Sequence, residues 1–311
     1  MAAIETDALM RRYGEVVAVD SVDLTVEQGE VFGFLGPNGA GKSTLINMLL
    51  DYTPPTSGEA RVFGHRTRGE AVDIRERVGV LPDGYQLYER LSGRRHLEFV
   101  AGARQADDDP ADVLDRVGLD PDDADRNAGD YSKGMAQRLV LGMALIGQPD
   151  LLILDEPSTG LDPNGIRLMR DVIREEVDRG ATVFFSSHIL SQVEAVCDRV
   201  GVMNQGRLIE VAALDEIRDA IGVGTTLHVT VDQQPKLTLS DLEAMDDVTN
   251  AEADGPDLTL TLSDSTAKAR VVSRIEEAGA TVTDFETTES SLEDLFAELI
   301  DEDEAVEEAS A

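Results

Sequence analysis

Apolar and polar positions alternate over residues 16–27, VVAVDSVDLTVE, as they do in a strand with one buried face. Three later segments open as continuous apolar runs, which is typical of strands buried on both faces: VFGFLG at 31–36, LLILDEP at 151–157 and TVFFSSH at 182–188. Amphipathic runs at 42–51 and 163–180 predict helices, the second ending at Gly180. Because strands alternate with helices, this part of the chain predicts an α/β core with a largely parallel sheet.

Shorter elements are predicted between these segments. Short strands are indicated near EARVFG at 59–64 and RVGVLP at 77–82, and the pattern turns helical from about residue 89 to residue 148. RVGVMNQGRLIEV at 199–211 predicts a hairpin whose turn lies near Gln205 and Gly206. The first 218 residues therefore read as one large domain, with a helical subdomain at about 85–148.

The pattern changes after about residue 222, which predicts a second domain. Apolar alternation and amphipathic runs follow one another in the order β-α-β-β-α-β, the order of ferredoxin-like α+β domains. We expect a linker at 219–224 and this small domain at 225–300, closed by a last helix in SLEDLFAELI at 291–300. The acidic tail at 301–311 is expected to be disordered.

The charge balance narrows the choice of partners. The chain has 27 basic and 62 acidic residues, a formal net charge of −35. Such a surface repels nucleic acid, so no nucleic-acid partner is expected. Lysines are few (Lys42, Lys133, Lys236 and Lys268), and the composition resembles that of cytosolic proteins from salt-loving archaea. We expect stability to depend on high salt, which screens self-repulsion; an ordinary acidic protein is the alternative.

The sequence has few features that would indicate a membrane span, secretion or disulfide bonds. No apolar run approaches the ~18–20 residues of a spanning helix, and the N-terminal segment lacks the apolar stretch of a secretory signal. The single cysteine, Cys197, excludes an internal disulfide and agrees with a reducing compartment. We therefore expect a cytoplasmic chain, and any membrane-spanning partner to be encoded separately.

The motif GPNGAGKS joins a predicted strand to a predicted helix. Gly36, Gly41, Lys42 and Ser43 occupy the fixed positions of the phosphate-binding form G-x-x-x-x-G-K-[ST]. Glycines let successive N–H groups surround an anion, and the helix start adds the positive end of its dipole. Lys42 is expected to reach the β- and γ-phosphates of a nucleotide and Ser43 to hold Mg²⁺; a plain glycine turn is the alternative.

The segment LLILDEP carries two carboxylates at the C-terminal end of a buried strand, the edge at which open α/β sheets bind ligands. Asp155 is expected to bind Mg²⁺, directly or through water, because Mg²⁺ usually keeps several waters. Glu156 is expected to polarise the attacking water. Acids also end strands as solvated caps, so this assignment depends on the phosphate loop.

The segment YSKGMAQR at 131–138 predicts a second helix start suited to an anion, with Ser132 and Gly134 at its tip. A simple N-cap serine is the alternative. Phosphoryl transfer needs charge compensation around the γ-phosphate, which a site open to water on one side lacks. The same helix start of a second copy could close that side, so we expect two chains to enclose two nucleotides.

These motifs, with STGLDP at 158–163 and SSH at 186–188, resemble the nucleotide-binding domain of ABC transporters over roughly residues 1–218. The resemblance implies a P-loop NTPase fold, with a RecA-like core and the ABC helical subdomain, followed here by the ferredoxin-like accessory domain. It also implies ATP and Mg²⁺ as cofactors and a second copy of the chain as a partner in a nucleotide-sandwich dimer.

The resemblance also assigns residues. Ser132 and Gly134 would contact the ATP of the second copy, Asp162 would lie at the dimer seam, and His188 would hold the γ-phosphate region. Tyr13 is similar to the aromatic residue that stacks on adenine, although an isolated Tyr or His is more often structural. The remaining expected nucleotide contacts belong to the phosphate loop: Gly36, Pro37, Asn38, Gly39, Ala40, Gly41, Lys42, Ser43 and Thr44.

Two segments depart from the family pattern. Asp83 stands where the family usually has Gln at the end of RVGVLP, with Gln86 shortly after it, and we expect Asp83 to serve as a metal ligand in that place. Lys133 and Met135 replace the commonest Gly and Gln of the signature. This SKGM form is similar to single-domain ATPases that pair with separate export permeases.

The leading hypothesis is an ATPase that drives a separately encoded integral-membrane permease, an exporter, from the inner face of the cell membrane. ATP binding would close the dimer and hydrolysis would open it. A soluble ABC ATPase that remodels a ribosome or nucleic-acid complex is the alternative, although neither a second ATPase half nor a long coiled coil is visible. A small-molecule kinase is disfavoured by the signature segment and His188.

Overall fold

The computed structural model describes residues 1–214, 216–217, 225–233, 239–245, 247–262 and 267–289. The chain divides into two compact units, Met1–Leu214 and Asp215–Ala311. Within the described residues, no helix combines the length and the apolar character that crossing a bilayer requires.

The first unit alternates strands with helices, as its sequence pattern predicts. Its strands are β1 (Ala2–Tyr13), β2 (Val16–Glu27), β3 (Val31–Leu35), β4 (Ser57–Val62), β5 (His65–Arg66), β6 (Val78–Leu81), β7 (Leu151–Asp155), β8 (Thr182–Ser187), β9 (Arg199–Asn204) and β10 (Arg207–Ala213). Its α-helices are α1 (Lys42–Leu49), α2 (Ala71–Arg77), α3 (Gly93–Arg104), α4 (Pro110–Arg116), α5 (Pro121–Ala124), α6 (Lys133–Leu145), α7 (Pro163–Asp178) and α8 (Leu190–Glu194).

The central sheet has the strand order β10-β9-β3-β8-β7-β6. All its neighbouring strands are parallel except β10, which pairs with β9 as an antiparallel hairpin. Every residue of β3, β7 and β8 is buried, which accounts for the continuous apolar runs seen in the sequence. The rings of Phe32 and Phe184 stack across β3 and β8 with their centroids 5.9 Å apart. The sheet thus brings the C-terminal ends of β3, β7 and β8 to one edge.

A second, antiparallel sheet has the order β2-β1-β4-β5. The sequence pattern predicts β2 but not β1. Pairing between β1 and β2 shifts register at several points, and Ala8 within β1 has a φ of 42°. Such bulges interrupt the alternation of side chains on which recognition of a strand depends. The short helix α2 was likewise not predicted.

The helical region after β6 consists of α3 to α6 and one 3₁₀ turn at Ala128–Asp130. A buried carboxylate connects it to α7: Glu176, 2% exposed, accepts hydrogen bonds from Arg116 of α4 at 2.8 Å and from Arg179 at 2.6 Å. Burying a carboxylate is costly unless it is paired, so both guanidinium groups are needed to hold it there.

The second unit has the described elements β11 (Thr225–Val231), α9 (Leu239–Glu243), β12 (Val248–Asp254), β13 (Asp257–Leu262), α10 (Lys268–Glu277) and β14 (Val282–Glu289). Their order is the β-α-β-β-α-β expected from the sequence, in an antiparallel sheet ordered β12-β13-β11-β14. Val271 and Ile275 of α10 belong to the core of this unit together with alternate residues of β11 and β13. The predicted linker at 219–224, the helix at 291–300 and the tail lie outside the described residues.

Candidate functional site

The phosphate loop at 36–41 lies between β3 and α1, as its motif predicts, and close packing requires its glycines. A Cβ on Gly36 would lie 2.2 Å from the carbonyl oxygen of Met203. A Cβ on Gly41 would lie 2.2 Å from the carbonyl oxygen of Ala18, and Gly41 also has a φ of 109°. The loop is therefore held against β9 and β2 in a conformation that only glycine adopts without strain.

Lys42, the first residue of α1, is only 6% exposed. Its Nζ donates to the carbonyl oxygens of Gly36 at 2.6 Å and Pro37 at 3.2 Å, and lies 3.6 Å from Oε1 of Glu156. Burial lowers the pKa of Lys42, against the opposing effect of Glu156, Asp155 and Asp83. An anion placed beside this ammonium would favour its charged form, so the lysine is suited to binding phosphate.

A pocket of about 260 Å³, here called the phosphate pocket, opens beside Lys42. It is lined by Ala18, Asn38, Gly39, Gly41, Lys42, Ser43, Thr44, Asp83 and Glu156. Most of the predicted loop residues line it, while Gly36, Pro37 and Ala40 shape the loop behind it. Sequence reasoning missed Ala18, because an alanine on a strand carries no chemical signal.

The two carboxylates after β7 are held by β8. Asp155 is 4% exposed and accepts a hydrogen bond of 2.5 Å from Oγ of Ser186. The N–H of Glu156 donates to the carbonyl oxygen of Ser186 at 3.2 Å, and Glu156 adopts a φ of 49°. Sequence reasoning also missed the role of Ser186, although it is the first serine of SSH.

Glu156 joins three parts of the site. Its Oε2 lies 2.9 Å from Nδ1 of His188, which directly follows β8. Its Oε1 is buried and has no hydrogen-bond partner among the described residues, although the Lys42 ammonium is nearby. An unsatisfied buried carboxylate oxygen is costly and calls for a ligand such as water. The arrangement can therefore orient and polarise a water molecule.

A second pocket of about 370 Å³, here called the carboxylate pocket, also has Glu156 in its lining. It is lined by Pro82, Asp83, Gly84, Tyr85, Lys133, Ala136, Gln137, Asp155, Glu156 and Thr159. Asp83 and Glu156 line both pockets, whereas Gln86 lines neither. Within the described part of the chain, no three acidic, histidine or cysteine side chains form a ready metal cluster.

The signature residues do not reach the phosphate pocket of their own chain. Ser132 is the N-cap of α6, and its Oγ accepts from the N–H of Met135 at 3.2 Å. Gly134 packs on the 158–163 segment: a Cβ there would lie 3.1 Å from the carbonyl oxygen of Gly160. Within one chain Ser132 thus acts as the simple cap that the alternative interpretation described.

Asp162 and Tyr13 also lie away from the phosphate pocket. Asp162 is the N-cap of α7, accepts from the N–H of Gly165 at 2.8 Å, and lies 3.3 Å from Nη2 of Arg138. Tyr13 ends β1 and is 46% exposed, with the Arg11 guanidinium 4.3 Å from its ring centroid. Its exposed ring is free to stack with a planar group.

Comparisons with known proteins agree on one family. A model described as ABC transporter matches residues 19–159, and one described as ATP-binding protein DrrA1-3-like, C-terminal domain, matches residues 213–300. The daunorubicin resistance ATP-binding protein DrrA3 of Streptomyces coeruleorubidus is 35% identical to this chain over 99% of both chains. The bacitracin transport ATP-binding protein BcrA of Bacillus licheniformis is 35% identical over 96% of this chain and 97% of its own length.

A solved structure shares the fold. It is an ATP-binding cassette in a dimeric post-hydrolysis state bound to ADP and Pi, with a TM-score of 0.60 and 22% identity over 68% of this chain and 98% of the other. The phosphate loop, the carboxylates after β7 and the two family matches lead to the same conclusion. The chain belongs to the family of ABC transporter ATP-binding proteins that carry a DrrA-like C-terminal domain, and it is an ATPase subunit of the P-loop NTPase fold.

Proposed function

We propose that this protein hydrolyses ATP in a dimer of identical chains and thereby drives a separately encoded export permease. One observation carries the proposal: a phosphate loop, a buried lysine and a carboxylate oriented by a histidine meet in the phosphate pocket. In this proposal the ATPase domain extends to about residue 218, and the accessory domain begins near residue 225.

The phosphate pocket binds the triphosphate. The loop N–H groups and the start of α1 face the phosphate oxygens, and Lys42 moves from the loop carbonyls to the β- and γ-phosphates. Thr44 lines the same pocket. In this proposal its hydroxyl contacts the α-phosphate. The exposed ring of Tyr13 stacks on the adenine base, and its other face is covered by Arg11.

The donor set fits a magnesium ion bound together with ATP. The Ser43 hydroxyl and the Asp83 and Asp155 carboxylates are hard oxygen ligands, and Mg²⁺ usually takes one or two carboxylates plus phosphate and water. Ser43 and Asp83 line the phosphate pocket, and Asp155 lines the carboxylate pocket, which shares Asp83 with it. When bound, Mg²⁺ would neutralise charge on the phosphates.

Glu156 acts on the attacking water. Its Oε1 lies 3.6 Å from the Lys42 ammonium and has no hydrogen-bond partner among the described residues, and Glu156 lines the phosphate pocket. This oxygen accepts a hydrogen bond from water, which increases the nucleophilicity of the water. His188 holds the other carboxylate oxygen and fixes the orientation of Glu156. Its exposed ring also reaches toward the γ-phosphate region, as the family resemblance implies.

The second chain completes the site. Ser132, Gly134 and Asp162 do not line the phosphate pocket of their own chain, so they are available to a second copy. The start of α6 at Ser132 directs its N–H groups and the positive end of the helix dipole at the γ-phosphate of the ATP bound to the second chain. The ATP-binding cassette that shares this fold was captured as a dimer with ADP and Pi, which supports the same arrangement here.

Dilution tests the dimer. Hydrolysis per molecule should fall as purified protein is diluted under saturating Mg-ATP, while Glu156→Gln should accumulate an ATP-bound dimer in analytical ultracentrifugation. Undiminished turnover by particles shown to be monomeric would overturn the shared site. A Glu156→Gln chain that stays monomeric with ATP would do so as well.

The permease is an integral-membrane protein that places this subunit on the inner face of the cell membrane. The relatives with resistance and transport roles support an exporter, and none of them supports a ribosome- or nucleic-acid-remodelling ATPase. The docking surface lies near Asp83 and the 85–100 region, where Tyr88 and Phe99 are exposed. Affinity capture from detergent-solubilised membranes should recover a polytopic membrane protein; recovery of ribosomal subunits instead would contradict the proposal.

The acidic surface adapts the protein to high salt. A net charge of −35 destabilises the compact state through self-repulsion, which salt screens. The midpoint temperature of thermal unfolding should rise as KCl is increased from about 0.1 M to about 3 M. The reason is that the Debye length falls below ~3 Å over this range, so the repulsion between surface carboxylates is screened. Equal stability at both concentrations would reject this adaptation without affecting the proposed ATPase cycle.

A further inference from the structure

Lys133 occupies an unusual position for a lysine. It is the first residue of α6, directly after the N-cap Ser132, and no acidic residue follows in the first turn. A cation at a helix N-terminus opposes the helix dipole, so this position carries an electrostatic cost within the helix itself. Contacts of Lys133 outside α6 can offset that cost.

The stem of Lys133 packs on the segment that carries Asp162. A Cβ built on Gly160 would lie 2.6 Å from both Cγ and Cδ of Lys133 and 3.1 Å from its Cε. Gly160 has a φ of 81°, so its backbone also requires glycine. The aliphatic part of Lys133 therefore covers the bare backbone of Gly160, two residues before Asp162.

Lys133 also lines the carboxylate pocket. Asp83, Asp155 and Glu156 line that pocket, and Lys133 is the only cationic residue among those that line it. Asp83 and Glu156 also line the phosphate pocket, so their negative charge acts on any anion bound there. A cation in the carboxylate pocket reduces the repulsion that an incoming triphosphate meets.

From these contacts, and given the proposed ATP site, we propose that Lys133 is a positioning residue with two separable roles. Its ammonium compensates the three carboxylates and thereby favours ATP binding in its own chain. Its stem fixes the Gly160 turn against the start of α6, so that Ser132, Gly134 and Asp162 are presented to the partner chain as one unit.

Three substitutions separate the role of the Lys133 charge from the role of its aliphatic stem. Lys133→Met keeps a long stem without charge, Lys133→Arg keeps both, and Lys133→Gly removes both. Lys268 provides the matched control, because it is also the first residue of a helix, α10 in the other unit. Lys268→Met removes a cation from a helix start that is remote in sequence from the site. Thermal unfolding of each variant establishes that it is folded.

Binding is measured apart from turnover, as the Kd of a non-hydrolysable Mg-ATP analogue by calorimetry, in chains that keep Glu156 and therefore all three carboxylates. Lys133→Met should raise this Kd about fivefold at low salt, the effect of losing one partly screened charge interaction, and the difference should shrink at high salt. Lys133→Arg should restore the wild-type Kd. A Kd for Lys133→Met that matches the Lys268→Met control would overturn the charge role.

Turnover tests the stem in chains with Glu156 intact. Lys133→Gly should lower kcat about tenfold, because a small displacement of Ser132, Gly134 and Asp162 lowers the rate of the chemical step strongly. Lys133→Met should keep kcat within about twofold of the wild type. Equal kcat values for the two variants would overturn the stem role. The wild type and Glu156→Gln serve as references: a wild type without ATPase activity would refute the proposed function itself, independently of either Lys133 role.

Discussion

Nδ1 of His188 lies 2.9 Å from Oε2 of Glu156, while the other carboxylate oxygen of Glu156 faces the ammonium of Lys42 at 3.6 Å. The carboxylate is thus fixed between a residue that follows β8 and a residue that begins α1. A carboxylate held at one oxygen presents the other in a defined direction, which is the geometry needed to orient a single water molecule.

Removing either member of this pair should slow hydrolysis. Glu156→Gln should lower kcat about 100-fold or more, because the amide is a poor acceptor for the water proton. His188→Ala should also lower kcat, with a smaller effect on KM, since it leaves Glu156 present but unrestrained. His65→Ala is the control, because His65 also lies near a glutamate, with Nδ1 4.0 Å from Oε2 of Glu70, but outside both pockets. A His188→Ala chain as fast as the control would contradict the pairing.

Mg-ATP binding should be linked to proton uptake by Lys42 at alkaline pH. Burial lowers the pKa of Lys42 below its ordinary 10.5, and added phosphate charge raises it again. Between these two pKa values the nucleotide-free lysine is partly deprotonated and gains a proton on binding. In the same range the unfolded chain binds more protons, so the nucleotide-free fold gains stability as pH rises.

The proton linkage of Lys42 is measured by calorimetry in buffers of different ionisation enthalpy. Proton uptake should grow as pH rises from neutrality toward 10.5 and should be absent in Lys42→Met. Binding that is independent of the buffer in the wild type throughout this range would show that phosphate does not approach the ammonium.

Two glycines of the phosphate loop should respond differently to alanine. In Gly41→Ala, the added Cβ would lie 2.2 Å from the carbonyl oxygen of Ala18, and the positive φ adds backbone strain. This substitution should therefore lower the free energy of unfolding by about 3 kcal/mol or more. Gly39 also has a positive φ but nothing within 4 Å, so Gly39→Ala should cost only about 1–2 kcal/mol. Urea unfolding measures both, and equal losses would refute the close approach of β2.

The buried carboxylate of α7 should contribute measurably to stability. Glu176→Gln leaves Arg116 and Arg179 without their shared anion and should cost about 2 kcal/mol in urea unfolding, a value kept low because both guanidinium groups are partly exposed. Glu175→Gln is the matched control: Glu175 contacts the same Arg116 but is 60% exposed, and should change stability by less than about 0.5 kcal/mol. Similar losses in both would mean that burial is unimportant at Glu176.

Sequence patterns were most informative where one physical signal dominates. The fully buried strands β3, β7 and β8 appear as apolar runs, and the phosphate loop follows the first of them because glycine, lysine and serine are required at set positions. The signal failed at β1, where bulges break the alternation, and at Ser186, whose hydroxyl turns to Asp155 from the neighbouring strand. The hydrogen bond from Ser186 to Asp155 joins residues 31 positions apart in the chain.

By itself, the sequence determined the family, the alternation of strands and helices, and the candidate residues for binding phosphate and polarising water, because each of these depends on short stretches of residue type and spacing. Only the tertiary structure decided that Asp83 and Glu156 line both pockets and that His188 holds Glu156. It also decided that the stem of Lys133 packs on Gly160 and that Lys133 lines one pocket with three carboxylates. The physical reason is that distances and burial between separate elements arise from sheet order and packing, which no local pattern records.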